Sequence, residues 1–189
     1  MVTIRKELAR DIPAREALLD CALGEARFLK TAERLRQGRL PAEGLSFVAE
    51  EDECVVGTVR LWSVSAGPAQ PALLLGPLAV SDAERGLGIG ASLMWRATEA
   101  AQLRGHAAVL LVGDAPYYGR FGFSAEKTGA LWLPGPFERS RLLARELVRG
   151  ALDGARGLIG PTGQPAPMPD LRILIVGLAR NAANALRAA

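Results

Sequence analysis

The feature that most constrains this chain is a nearly unbroken apolar run, ALLLGPLAV at residues 72–80, that leads within ten residues into glycine at three alternate positions, Gly86, Gly88 and Gly90. A proline-free helical pattern follows over residues 89–103, and then a second apolar run, HAAVLLVG, at residues 106–113. Short apolar runs of this kind suit strands buried on both faces. Strand, glycine turn, helix and strand make a βαβ unit, whose strands are parallel and whose crossover is right-handed. A strand covered on both sides needs helices or further layers above and below it, so the chain belongs to the α/β class.

The remaining elements attach to this unit. Residues 2–5 read as a short strand. Asp11 followed by Pro13 opens a helical pattern to about Leu23, because aspartate caps a helix and an early proline costs it no hydrogen bond. Residues 25–37 read as a second helix. Residues 45–50 and 54–64 read as a hairpin through the acidic turn EDE. After the βαβ unit come a short helix at APYYGRF, further strand at GFSAEKTGALWL, a helical stretch at 138–149 and a Pro/Gly-rich linker or loop, GPTGQPAPMPD. The expected sheet is mixed and mostly antiparallel. Residues 1–150 form the domain, and 151–189 form an extension that packs on it or makes a dimer contact through Leu171, Leu174, Val176, Leu178 and Leu186.

The bulk numbers exclude several classes. At 189 residues, 49% hydrophobic and 23% charged, the chain is long enough for one domain with a real core. Of 23 basic residues only Lys6, Lys30 and Lys127 are lysines, and the net charge is +3. The arginines are scattered, and no nucleic-acid motif accompanies them, so no nucleic-acid partner is expected. Cys21 and Cys54 show neither metal-ligand nor scaffold spacing, which argues against a zinc site and fits a reducing compartment. The first residues lack the apolar core of a secretory signal, and LRILIVGLA is too short to span a bilayer. A soluble, cytoplasmic protein without a membrane partner is the expectation.

The glycines suggest an anion. The first amides of a helix lack intrahelical acceptors, and the helix dipole puts partial positive charge there. Glycine lets the backbone turn tightly and lets a phosphate approach without meeting a Cβ. Arg85 adds a cation at the entrance. A phosphate-cradling lysine loop would need GK[ST], where this chain has GIGAS. A dinucleotide fingerprint would need G-x-G-x-x-G with a following acid, where this chain has G-x-G-x-G. Both nucleotide readings fit poorly, and a glycine turn with no ligand stays open.

The stretch LAVSDAERGLGIGASLM resembles the GCN5-related N-acetyltransferase (GNAT) superfamily, whose signature is a strand, [RQ]-x-x-G-x-[GA] and a helix that receives the pyrophosphate of coenzyme A. Arg85, Gly86, Leu87, Gly88, Ile89 and Gly90 occupy that signature. GDAPYYGRFGF adds Tyr118 ahead of Gly122 and Phe123 and is similar to a block of the YhbS-like branch. The likeness is specific over residues 73–123.

What the resemblance implies is acetyl transfer from acetyl-CoA to an amine. The strand before the loop bulges, for which Gly76–Pro77 is the expected place, because proline interrupts a ladder. It splays from the next parallel strand, and the backbone of Leu78, Ala79 and Val80 would meet the cofactor arm. Tyr118 would protonate the departing thiolate, since a phenol is protonated at neutral pH. Asp114 falls where many members carry a cofactor-contacting asparagine. The base is open among Glu50, Glu51 and Asp114. Tyr117 lines the acceptor pocket or packs, and His106 is structural. The acceptor pocket is expected from residues 22–39, the hairpin and the segment after Phe123, with Phe28, Trp62 and Trp132 as aromatic candidates there, each read as core before ligand. The acceptor is a primary amine on a small molecule, peptide or protein. A non-catalytic acyl-CoA-binding module is the alternative.

Overall fold

The computed structural model describes residues 1–167; the tail at 171–189 that was expected on the domain or at a dimer contact lies outside the described residues. In chain order the strands are β1 (Thr3–Lys6), β2 (Ser46–Glu51), β3 (Cys54–Ala66), β4 (Gln70–Val80), β5 (Ala108–Val112), β6 (Leu131–Trp132), β7 (Leu142–Glu146), β8 (Gly157–Leu158) and β9 (Gly160–Pro161). The α-helices are α1 (Ile12–Leu23), α2 (Ile89–Leu103) and α3 (Ala115–Gly119). The main sheet runs β1-β2-β3-β4-β5-β7, with β9 on β3. Only β4 and β5 in it are parallel, and α2 joins them, so the βαβ unit stands as the apolar runs predicted.

Two layers cover the sheet. Along β4, Leu73 and Leu75 face α2, whose Ile89, Leu93, Met94 and Ala97 complete one buried cluster. Ala72 and Leu74 point the other way, toward Leu35, Leu131, Leu133, Leu152 and Ile159. The period-2 alternation of a continuous apolar strand thus feeds both faces. Gly57 lets α2 come close, since a Cβ there would stand 2.9 Å from Leu93 Cδ1. The β2–β3 turn holds Asp52 and Glu53 at φ 47° and 65°, as a two-residue type I′ hairpin requires.

Four segments differ from the sequence expectation. Residues 25–37 form two 3₁₀ turns, Glu25–Leu29 and Thr31–Leu35, broken at the extended Lys30, in place of one helix. The segment is pinned from outside: Arg27 pairs with Asp20 and Glu16, and Arg34 donates to the Pro134 carbonyl. The expected helix at 138–149 is a 3₁₀ turn, Arg139–Arg141, running into strand β7. Its Leu, Ala, Arg and Glu favour a helix locally, but antiparallel pairing with β5 and burial of Leu142, Leu143 and Ala144 override that preference. Between Phe123 and β6 the expected strand reduces to a bridge, Ser124 with Ala144, followed by turns. Within the expected linker, β9 pairs with Val64 and Ser65, and Leu40 donates to the Gln164 carbonyl.

Candidate active site

Where β4 and β5 part, the sheet opens. Their ladder consists of Leu73 with Val109 and Leu74 with Leu110. Beyond it β5 continues against β7 as far as Val112, and β4 continues against β3 as far as Val80. The β5-facing backbone of β4 after Leu75 therefore has no strand partner. A cavity of about 1020 Å³ occupies this gap, lined among others by Leu75, Gly76, Pro77, Leu78, Asp114 and Tyr118.

The bulge falls where proline predicted it. Val59 faces Leu78 and Leu61 faces Leu75, so Gly76 and Pro77 together oppose Arg60. Gly76 has φ 129°, which side-chain-bearing residues rarely adopt, and the peptide bond to Pro77 is cis. The Gly76 carbonyl accepts a 2.7 Å hydrogen bond from Trp62 Nε1. Trp62 is thereby buried behind the bulge, outside the cavity lining.

At the far end of β4 a 3₁₀ turn, Asp82–Glu84, leads into the glycine loop. Gly86 and Gly88 have φ 88° and 80°, and a Cβ on either would meet nothing within 4 Å. Gly88 is the left-handed N-cap of α2 and brings no capping side chain, so the first amides of α2 stay open. Arg85 is exposed and pairs with Asp82 at 2.8 Å. Gly90 serves contact: its Cβ would stand 3.1 Å from the Tyr117 hydroxyl. Ala79, Val80 and Arg85 through Gly90 lie outside the cavity lining, and Tyr117, which belongs to it, connects the two regions.

Tyr118 stands in the cavity wall on α3, its ring edge-on to Tyr117 at 4.9 Å and to Phe123 at 6.3 Å. Burial pushes its phenol up to about 12, so it holds its proton at neutral pH. Gly113 makes room for it: a Cβ there would fall 2.1 Å from Tyr118 Cε2. That glycine escaped the sequence reading, because its φ is ordinary and only the tyrosine's approach requires it. Asp114 precedes α3, and its carbonyl accepts from the Tyr118 amide at 3.0 Å.

Of the carboxylates considered as base, Asp114 lines the cavity, whereas Glu50 is bonded to Arg5 at 2.9 Å and Glu51 lies 3.3 Å from the N-terminal amine. The residues 22–39 segment does contribute to the wall, through Lys30, Glu33 and Arg36. Phe28 and Trp132 are exposed and outside the lining; Leu29 and Phe137 occupy it instead. Nothing in the sequence singled out Glu33 or Arg36, because neither belongs to a motif. His106 lies between α2 and β5, away from the cavity, and burial lowers its imidazole below the ordinary value.

This architecture has known counterparts. The Acetyltransferase (GNAT) family profile matches residues 12–123. The chain belongs to the GNAT acetyltransferase family. It is 32% identical over 158 residues to the Escherichia coli protein named uncharacterized N-acetyltransferase YhbS, covering 82% of this chain and 93% of that one. The crystal structure of E. coli YhbS in complex with CoA superposes with a TM-score of 0.72 at 30% identity, over 85% of this chain and 89% of that one. A GNAT acetyltransferase from Brucella melitensis in complex with acetyl-CoA gives 0.58 at 28% identity, over 81% and 99%. The GNAT chain described here has the mixed sheet, parallel pair and splay that its sequence resemblance implied. Among the described residues no helix is long and apolar enough to cross a membrane.

Proposed function

We propose that this GNAT enzyme transfers an acetyl group from acetyl-CoA to a primary amine of a small molecule, peptide or protein, in the cavity between β4 and β5. The observation that carries this reading is the parting of the two parallel strands after Leu74 and Leu110, with an unpaired strand edge on one side and Tyr118 on the other. Acetyl-CoA as co-substrate supplies an acetyl thioester, whose transfer to an amine leaves a thiolate that takes up a proton.

The residues fit such a molecule. The open space over Gly86 and Gly88, the uncapped start of α2 and the Arg85 guanidinium suit a pyrophosphate. Leu87, Ile89 and Gly90 complete that loop. The free backbone edge at Leu78, Ala79 and Val80 suits the amides of the cofactor arm, and Asp114 lies in the wall that faces it. Tyr118 keeps its proton at neutral pH and donates it toward the departing sulfur. With a phenol pKa of about 12, full transfer to a thiolate is uphill, so the donor works as a strong hydrogen bond that completes as the amine nitrogen releases its own proton.

The test is titration of acetyl-CoA into the wild type, Arg85→Glu and Tyr118→Phe, with thiol release measured over a panel of amines. Arg85→Glu is expected to weaken binding about tenfold or more, because it puts a like charge beside the pyrophosphate. Tyr118→Phe is expected to bind normally and lose turnover. A folded wild type that does not bind acetyl-CoA sinks the proposal.

A further inference from the structure

The cavity wall built from the 22–39 segment holds a buried cation that the described residues do not fully satisfy. Arg36 lines the cavity and is only 9% exposed. It follows the 3₁₀ turn Thr31–Leu35, and the fully buried Leu35 fixes its backbone. Its Nη2 lies 2.9 Å from Glu33 Oε2, while its buried Nε finds no partner among the described residues. Nη1 points at the bulge, 3.5 Å from where a Cβ on Gly76 would stand. Burial works against the charge and lowers its pKa, although an arginine stays protonated across the physiological range. A buried guanidinium with an idle donor costs stability unless something else meets it.

The surroundings narrow what meets it. Arg27 and Arg34 also reach the wall, but they are engaged by Asp20 and Glu16 and by the Pro134 carbonyl. Lys30 and Arg141 share the lining with Arg36, against the carboxylates Glu33, Asp114 and Glu138. Glu138 already accepts from Ser140 at 2.8 Å. A planar fork of donors beside a glycine of the bulge matches a carboxylate better than a neutral or cationic group. Gly76 has no side chain, so a ligand can touch Arg36 and the bulge together.

We propose that Arg36 receives a carboxylate of the acceptor, so that the amine acetylated by this enzyme belongs to a small amino carboxylate such as a free amino acid or short peptide with its terminal carboxylate. Arg36 acts as a specificity residue, and Glu33, its ion-pair partner, stands beside the ammonium end of the same zwitterion. The inference rests on the acetyl-transfer reading above.

The experiment uses the full chain, acetyl-CoA and thiol release, with α-amino acids and dipeptides each paired with its carboxamide. Free acids are expected to exceed their amides by about 10- to 100-fold in kcat/KM, the range of one charge-assisted contact. Arg36→Gln is expected to raise KM for the acid by a similar factor and to bring the acid-to-amide ratio of kcat/KM close to one, with the acetyl-CoA Kd retained; Arg36→Lys restores part of the loss. Equal rates for acid and amide in the wild type overturn the inference even if Arg36→Gln fails to fold. Acetyl-CoA binding with no amino carboxylate acetylated overturns it too, and so does an Arg36→Gln variant that weakens acetyl-CoA as much as the acid. A wild type that binds no acetyl-CoA removes the transfer reading itself, and the inference with it.

Discussion

Gly113→Ala is the most informative single change, because the added methyl has one defined victim. Gly113 has an ordinary φ, so alanine fits the backbone. The new Cβ would lie 2.1 Å from Tyr118 Cε2, 2.6 Å from Cδ2 and 3.1 Å from Leu111 Cδ1. To recover a normal carbon–carbon contact the ring must retreat by more than about 1 Å. It cannot do so freely, since Tyr117 and Phe123 pack against it edge-on at 4.9 and 6.3 Å. Overpacking of this kind costs about 1–3 kcal/mol, which a urea titration resolves. Displacing a proton donor by about 1 Å costs on the order of 100-fold in rate. The expected outcome is a folded, mildly destabilised enzyme that binds acetyl-CoA and has a strongly reduced kcat. Gly119→Ala is the control: a Cβ there meets nothing within 4 Å, and the glycine is not left-handed. Unaltered kcat in Gly113→Ala, or an equal loss in Gly119→Ala, refutes the reasoning.

Further outcomes follow from the same geometry. Tyr118→Phe should cut kcat about 100-fold or more. In the proposed role the neutral phenol is the working form, and burial raises it to about 12, so activity should persist until pH rises through that value; a limb near 10 that Tyr118→Phe abolishes would contradict the assigned environment. Its contribution to stability has the same sign, present below the unfolded value near 10 and lost through about 12. Asp11 is held at about 2 by hydrogen bonds from Arg5, so its contribution is present above the ordinary 3.8 and lost as pH falls through about 2. Asp11→Asn should cost about 1–3 kcal/mol at neutral pH and flatten that acid limb, as urea titrations from pH 2 to 7 would show. Trp62→Phe leaves the Gly76 carbonyl without its 2.7 Å donor. It should lower stability by about 1–3 kcal/mol and weaken acetyl-CoA binding, and an unchanged titration of both would remove the bulge anchor from the account.

Much of the site was legible because its signals are local. Gly86 and Gly88 take left-handed φ, and α2 begins at Ile89, where the turn chemistry put it. Pro77 marked the bulge because a missing N–H forbids a regular ladder. Glu33 and Arg36 were not legible, since Arg36 gains its place by standing next to Gly76, some forty residues away in the chain, and Glu33 by pairing with Arg36 in the same cavity wall. The aromatic candidates also depended on distant contacts: Trp62 is core, as read first, and turns behind the bulge to satisfy a carbonyl, while Trp132, at 55% exposure, stacks on Arg139.

The sequence by itself determined the βαβ unit, its glycine turn and the residue types of the loop proposed to take the pyrophosphate, because apolar period, turn geometry and proline exclusion act within a few residues of the chain. Only the tertiary structure decided that Leu142–Glu146 is a strand, that residues 25–37 bend into two turns and that Tyr118 needs a glycine at 113. Those outcomes depend on burial beside β5, on ion pairs from α1 and on the packing of one ring, and such contacts join parts of the chain that local propensity cannot relate.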